Sequence, residues 1–183
     1  MNSKTGDAPP RAVLIAALVV AVGGVVAVLV VAAVMQRSPA QAPVAVTTIP
    51  APQADSPECR SLVDALPDAV GDYRRAALVD PAPAGAAAWQ PQEPGGEPLV
   101  LRCGLDRPAE FVVGAPQQVV DDVSWFQVDD PAGDGRATWF AVDRPVYVAL
   151  TLPPGSGPTP IQTLSTTIAD TLAARRPEPA PVG

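Results

Sequence analysis

Histidine is absent from the 183 residues, and lysine occurs once, at Lys4. Without an imidazole there is no Ser-His-Asp or Cys-His triad, no HExxH metal site and no imidazole acid–base pair. Cysteine is limited to Cys59 and Cys103, too few for a zinc site built on thiolates. Aromatics are sparse, with three Trp, two Tyr and three Phe. What is plentiful is Pro (24) and Gly (14), and eleven of the twelve basic residues are Arg, the composition of a GC-rich genome. The length suits one ordinary domain of roughly 100–200 residues with extensions.

The long apolar run is the strongest signal. Residues 12–35 are 24 consecutive uncharged residues, 14 of them Val, Leu or Ile. A helix of that length rises about 36 Å, against a hydrocarbon core of about 30 Å. The aliphatics favour insertion by about 4–8 kcal/mol at most. A buried core helix would need apolar partners on every side, which so short a chain does not supply. Lys4 and Arg11 precede the run and only Arg37 follows it closely, so the positive-inside rule puts residues 1–11 in the cytoplasm and the rest outside. The run exceeds the roughly 7–15 residues of a signal-peptide core, which favours a retained anchor over a cleaved leader. Ala17/Ala21 and Gly23/Ala27 are small residues four apart, a spacing that also occurs at helix-dimer faces.

Residues 36–56 carry Pro39, Pro43, Pro50 and Pro52 without strong periodicity and read as a stalk. In polyproline conformation it would reach roughly 55 Å. Residues 177–183, with Pro177, Pro179 and Pro181, read as a disordered tail. Residues 57–176 form the expected folded domain. Its first helix opens at Ser56-Pro57, shows Cys59, Leu62, Val63 and Leu66 on one face, and stops at Pro67. Its last opens at Thr159-Pro160, carries Ile161, Leu164, Ile168 and Leu172, and ends on Arg175-Arg176.

Between the helices the period falls to two. Residues 99–103 and 146–152 alternate, and 123–128 and 137–142 flank the turn-rich stretch 129–135 as a hairpin. Shorter runs lie at 73–79 and 111–113. The expected class is α+β: an N-terminal transmembrane helix, then an antiparallel sheet of four to six strands with two terminal helices packed on one face.

An even cysteine count in an extracytoplasmic domain favours a disulfide. Cys59 lies on the first helix's apolar stripe, and Cys103 shares a strand face with Leu99 and Leu101, so the thiols meet if that helix packs on that face. Closing the loop is worth roughly 4 kcal/mol on the chain-entropy model. The alternative is two buried free thiols acting as small apolar groups.

Little catalytic chemistry remains. A carboxylate pair drawn from Asp121, Asp122, Asp129, Asp130, Asp134 and Asp143 is the surviving option for a hydrolase. Acidic residues beside turns are ordinarily solvated. The 129–135 loop has oxygen donors suited to Ca²⁺, though it lacks the EF-hand pattern and its Asp-Gly and Pro are also plain turn formers. Trp89, Trp125 and Trp139 read as core, with one of them beside Arg102 or Arg144 in a binding cleft as the alternative. After Arg37 there are 9 Arg and 18 Asp+Glu, a net of 9 − 18 = −9. That disfavours nucleic acid and anionic polymers as partners.

Cys59 after a Pro-rich linker, Leu66-Pro67, Ala88-Trp89, Leu101-Arg102-Cys103-Gly104, Trp125, Arg144-Pro145-Val146-Tyr147-Val148 and a final Leu-rich helix together resemble an actinobacterial family of small membrane-anchored proteins catalogued as a domain of unknown function. The resemblance implies an envelope location and a Cys59–Cys103 pair, and it brings no activity. The expectation is a single-pass membrane protein with a non-enzymatic, envelope-associated accessory module. Beyond the bilayer its partner would be an unidentified envelope protein, and no cofactor, metal or catalytic residue is assigned. The alternatives are a carboxylate-dependent hydrolase and a small-ligand or Ca²⁺ module.

Overall fold

A computed structural model describes residues 11–35, 42–93, 95–129 and 133–182. The chain divides into two compact units, 1–41 and 42–183. The first contains α1 (Arg11–Met35), apolar, with none of its spanning window buried in protein, and long enough to cross a membrane. Nothing lies within van der Waals reach of a Cβ built on Gly23 or Gly24.

The second unit is α+β. α2 (Pro57–Ala65) is followed by strands β1 (Ala69–Val70), β2 (Tyr73–Ala76), β3 (Ala86–Pro91), β4 (Leu99–Leu105), β5 (Gln118–Val120), β6 (Val123–Asp129), β7 (Ala137–Ala141) and β8 (Tyr147–Leu152), then by α3 (Thr159–Thr171). The sheet is antiparallel with order β1-β2-β3-β4-β8-β7-β6-β5. Two four-strand meanders thus join along β4 and β8. Eight strands exceed the expected four to six. β1, β3 and β5 escape a period-2 reading because they are short or, in β3, rich in Ala, a weak strand former. The expected strand at 111–113 is instead loop, held by one parallel bridge between Val112 and Ala180.

α2 begins as its sequence dictates: the Ser56 hydroxyl accepts the Cys59 N–H at 3.2 Å. It ends at Ala65 because Leu66 precedes Pro67 and is forced extended. α3 starts with Pro158 as its cap, without a side-chain bond, and is over by Leu172. Arg175 and Arg176 therefore lie beyond the helix, and the Arg175 N–H donates to the Asp143 carbonyl at 2.8 Å.

The inner sheet face carries Trp89, Leu99, Leu101, Cys103, Trp125, Val148 and Leu150, which pack with Cys59 and Leu62 of α2 and Leu164 and Ile168 of α3. Both indoles are satisfied, Trp89 by the Pro67 carbonyl and Trp125 by the buried Ser165 hydroxyl, each at 2.9 Å. α3 does more than lie on one face. It packs against β1 at one sheet edge and β5 and β6 at the other. Eight flat strands would span about 34 Å edge to edge, whereas a helix is about 10–12 Å across. The sheet is therefore curled around α3.

Two stretches expected to be free chain are docked. Val44 is buried, donates to the Ala77 carbonyl at 2.8 Å and accepts from the Val79 N–H at 2.9 Å; Gln53 donates to the Gly104 carbonyl at 3.0 Å. Residues 42–55 thus form a strap on the domain, which corrects that part of the stalk; its residues 36–41 lie outside the described residues. In the tail, Ala180 donates to the Phe111 carbonyl and accepts from the Val113 N–H, which corrects the disordered tail. Proline-rich composition argues for disorder only through its low apolar content. Proline also presets extended backbone, and the residues between prolines keep their N–H and C=O for edge pairing.

Candidate functional site

Cys59 and Cys103 form a disulfide with Cα atoms 5.6 Å apart, joining α2 to β4 within the core. It has a structural place, and the residues around it explain the Leu101-Arg102-Cys103-Gly104 run. Leu101 and Cys103 face the core, Arg102 faces the other way, and Gly104 marks a β-bulge where the pairing of β4 with β8 shifts. Gly104 has φ 88°, and a Cβ there would run into the backbone of Gln53 and Ala54. Only glycine lets the strap lie against the strand there.

Five of the six candidate carboxylates lie among the described residues, each in a turn or engaged in a local bond. Asp121 and Asp122 occupy the two-residue turn between β5 and β6, both with positive φ, which Asp tolerates. Asp129 accepts from Gln127, and Asp134 pairs with Arg136 at 3.1 Å. Asp143 is buried, accepts from the Ser124 N–H at 2.9 Å and pairs with Arg144 at 2.9 Å. Asp130 lies outside the described residues, as does part of the 129–135 loop proposed for Ca²⁺. Among the described residues no group of three or more metal-ligating side chains is present.

Arg144 proves to be a brace. Its Nη1 donates to the Asp143 carbonyl at 3.0 Å and its Nη2 to the Asp122 carbonyl at 2.8 Å, so one guanidinium ties the β7–β8 turn to the β5–β6 turn. Trp89 and Trp125 are fully buried core, and Trp139 packs against that core partly buried. Arg75 lies over the Trp89 ring at 5.0 Å, on the inner side of β2.

Arg102 is different. It lies mid-β4 between Ala86 of β3 and Ala149 of β8, neighbours too small to cover it. It lines a cleft of about 230 Å³ with Val100, Thr151, Glu97, Arg136 and the strap residues Ala45–Thr47. Burial pushes the Arg102 pKa down, and no carboxylate offsets that push. Its Nε is buried without a hydrogen-bond acceptor, and among the described residues it makes no ion pair. Arg136, across the same cleft, is held by Glu97 at 3.2 Å and Asp134 at 3.1 Å. Sequence reasoning offered Arg102 or Arg144 beside a Trp only as the alternative to core packing, and it missed Arg136, Glu97 and the strap wall. Only their pairing across the sheet brings them together, and no local pattern signals it.

Fold and cleft together define a small disulfide-stapled α+β domain preceded by an apolar helix long enough to cross a membrane. Residues 18–177 match the family described as "Protein of unknown function (DUF3515)", and the chain belongs to that family. No curated protein and no solved structure matches it.

Proposed function

We propose that the protein is a single-pass membrane-anchored binding module, its N-terminus cytoplasmic and its α+β domain outside, acting through what the Arg102 cleft contacts rather than by turnover. The observation that carries the reading is the half-buried Arg102 guanidinium, which has no partner in that cleft among the described residues. Orientation is supported by Lys4 and Arg11 ahead of the apolar run, and an outside location by the disulfide. The missing histidine and the commitment of Asp134 and Asp143 to arginine partners weigh against catalysis. An envelope protein is the partner class this reading favours.

Photo-crosslinking in intact cells tests this. A crosslinking side chain at Thr47 or Thr151 is expected to trap a defined adduct that the same group at exposed Arg60 does not. Equal or absent adducts at the cleft positions would remove the reading. A C-terminal reporter enzyme active only in the cytosol would overturn the topology.

A further inference from the structure

We infer that the Arg102 cleft binds the carboxylate end group of a ligand, a monoanion held by the guanidinium fork; this deepens the contact-site reading above and rests on it. Burying a guanidinium is costly unless it is paired and hydrogen-bonded. The exposed part of the chain offers 18 Asp+Glu against 9 Arg, so acidic partners for Arg102 are not in short supply. Arg136 in the same cleft has two carboxylates. Arg102 has none among the described residues, and its Nε–H meets no acceptor. An oxyanion supplied from outside completes that site.

Charge selects among oxyanions. Arg136 with Glu97 and Asp134 sums to one negative charge, which Arg102 cancels. A carboxylate leaves the filled cleft at one negative charge, and a phosphate dianion leaves two, beside Glu97. Carboxylate also matches the planar guanidinium with two parallel hydrogen bonds. Size limits the rest. At about 230 Å³ the cleft is smaller than the roughly 300–1,000 Å³ that encloses a drug-sized molecule, so it admits an end group and not a whole cofactor. Thr47 and Thr151 also line it, the Thr151 hydroxyl sharing a hydrogen bond with that of Thr138 at 3.1 Å. Val44 spends its N–H and C=O on Ala77 and Val79, just after β2, while among the described residues Ala45, Val46 and Thr47 make no backbone hydrogen bond. Unused backbone beside a guanidinium suits a peptide with a free C-terminus.

The probe is N-acetyl-diglycine, titrated into the full chain in detergent micelles, with N-acetyl-diglycinamide and methyl phosphate as comparison arms. The acid is expected to bind at least tenfold more tightly than the amide and than methyl phosphate, and to shift the ¹⁵N resonance of Arg102 Nε–H. Arg102→Met is expected to abolish the acid's advantage. Arg102→Lys keeps the charge without the fork and is expected to weaken binding about tenfold; melting curves of both variants verify that they fold. Equal binding of acid and amide overturns the carboxylate assignment while leaving the cleft as a contact site. Tighter binding of methyl phosphate overturns it in favour of a phosphate headgroup. No binding by any arm, or full affinity in a folded Arg102→Met, removes the assignment outright. Persistent cell crosslinks at Thr47 would then still hold the broader reading.

Discussion

Arg144 and Arg102 are both withdrawn from water, and their surroundings are opposite. The Arg144 side chain is 2% exposed, pairs with Asp143 at 2.9 Å, and donates through both Nη atoms to two carbonyls, although its Nε, like that of Arg102, meets no acceptor among the described residues. Arg102 is flanked by alanines and reaches a cleft where, among the described residues, it has neither an ion pair nor a hydrogen bond. Both belong to runs that stand out in the sequence, yet one guanidinium is used up holding two turns together and the other is held in place and left open. A buried charge held by an ion pair and by both Nη hydrogen bonds is architecture. One that the fold positions without partnering is a place for a ligand.

Breaking the braced side should cost most. Arg144→Met leaves the Asp143 carboxylate buried beside a lost cation and frees the Asp122 carbonyl. A loss of about 3–5 kcal/mol in denaturant unfolding is expected. A loss below about 1 kcal/mol would mean that Arg144 is no more structural than Arg102. Of similar size is the Cys59→Ala/Cys103→Ala double variant, expected to cost about 4 kcal/mol for the 44-residue separation. It loosens the strand that carries Arg102, so it should also broaden the Arg102 Nε–H resonance while leaving that of Arg144 sharp. Thiol labelling of the unreduced protein checks the premise: two reactive thiols would mean that the staple is missing.

Gly104→Ala comes next. The positive φ disfavours any side chain, and the new methyl meets the strap backbone at Gln53 and Ala54. An expected cost of about 2–3 kcal/mol combines strain with the lost Gln53–Gly104 hydrogen bond and the burial of Ala54. Limited proteolysis should then cut within residues 42–55, and the Arg102 cleft should lose its strap wall. Resistance to cutting at wild-type level would show that the strap tolerates the methyl and is not seated as described.

The inner half of the domain was legible because burial against one face imposes a period. Leu99, Leu101 and Cys103 alternate, and Cys59, Leu62 and Leu66 recur along a helix stripe, so the disulfide followed from two faces meeting. The outer half was not, because nothing there repeats. β3 reads Ala86-Ala87-Ala88 before Trp89, and the strap and tail carry prolines that mimic unfolded chain by composition while single residues between them, Val44 and Ala180, make the docking bonds. The curl that brings α3 to both sheet edges depends on distant pairings that no window of sequence contains. Of the site, Arg102 was visible only as one of two arginines; that Arg144 is spoken for and Arg102 is not depends on which turn carbonyls lie nearby.

Arg102→Met is the smallest expected effect on stability and the sharpest test of the contrast. The substitution keeps an unbranched stem over Ala86 and Ala149 and removes a desolvated charge that nothing in the described residues offsets. Replacing an uncompensated buried ion by an apolar group of similar length is neutral or favourable. The unfolding free energy should therefore change by less than about 1 kcal/mol in either direction, and an increase is the more informative sign, because it shows that the wild-type chain accepts a cost at this position. The gap between this variant and Arg144→Met, about 3 kcal/mol, measures how differently one fold treats two arginines. Should Arg102→Met prove as damaging as Arg144→Met, Arg102 would be a strut for the strap, and the cleft would lose its claim to a ligand.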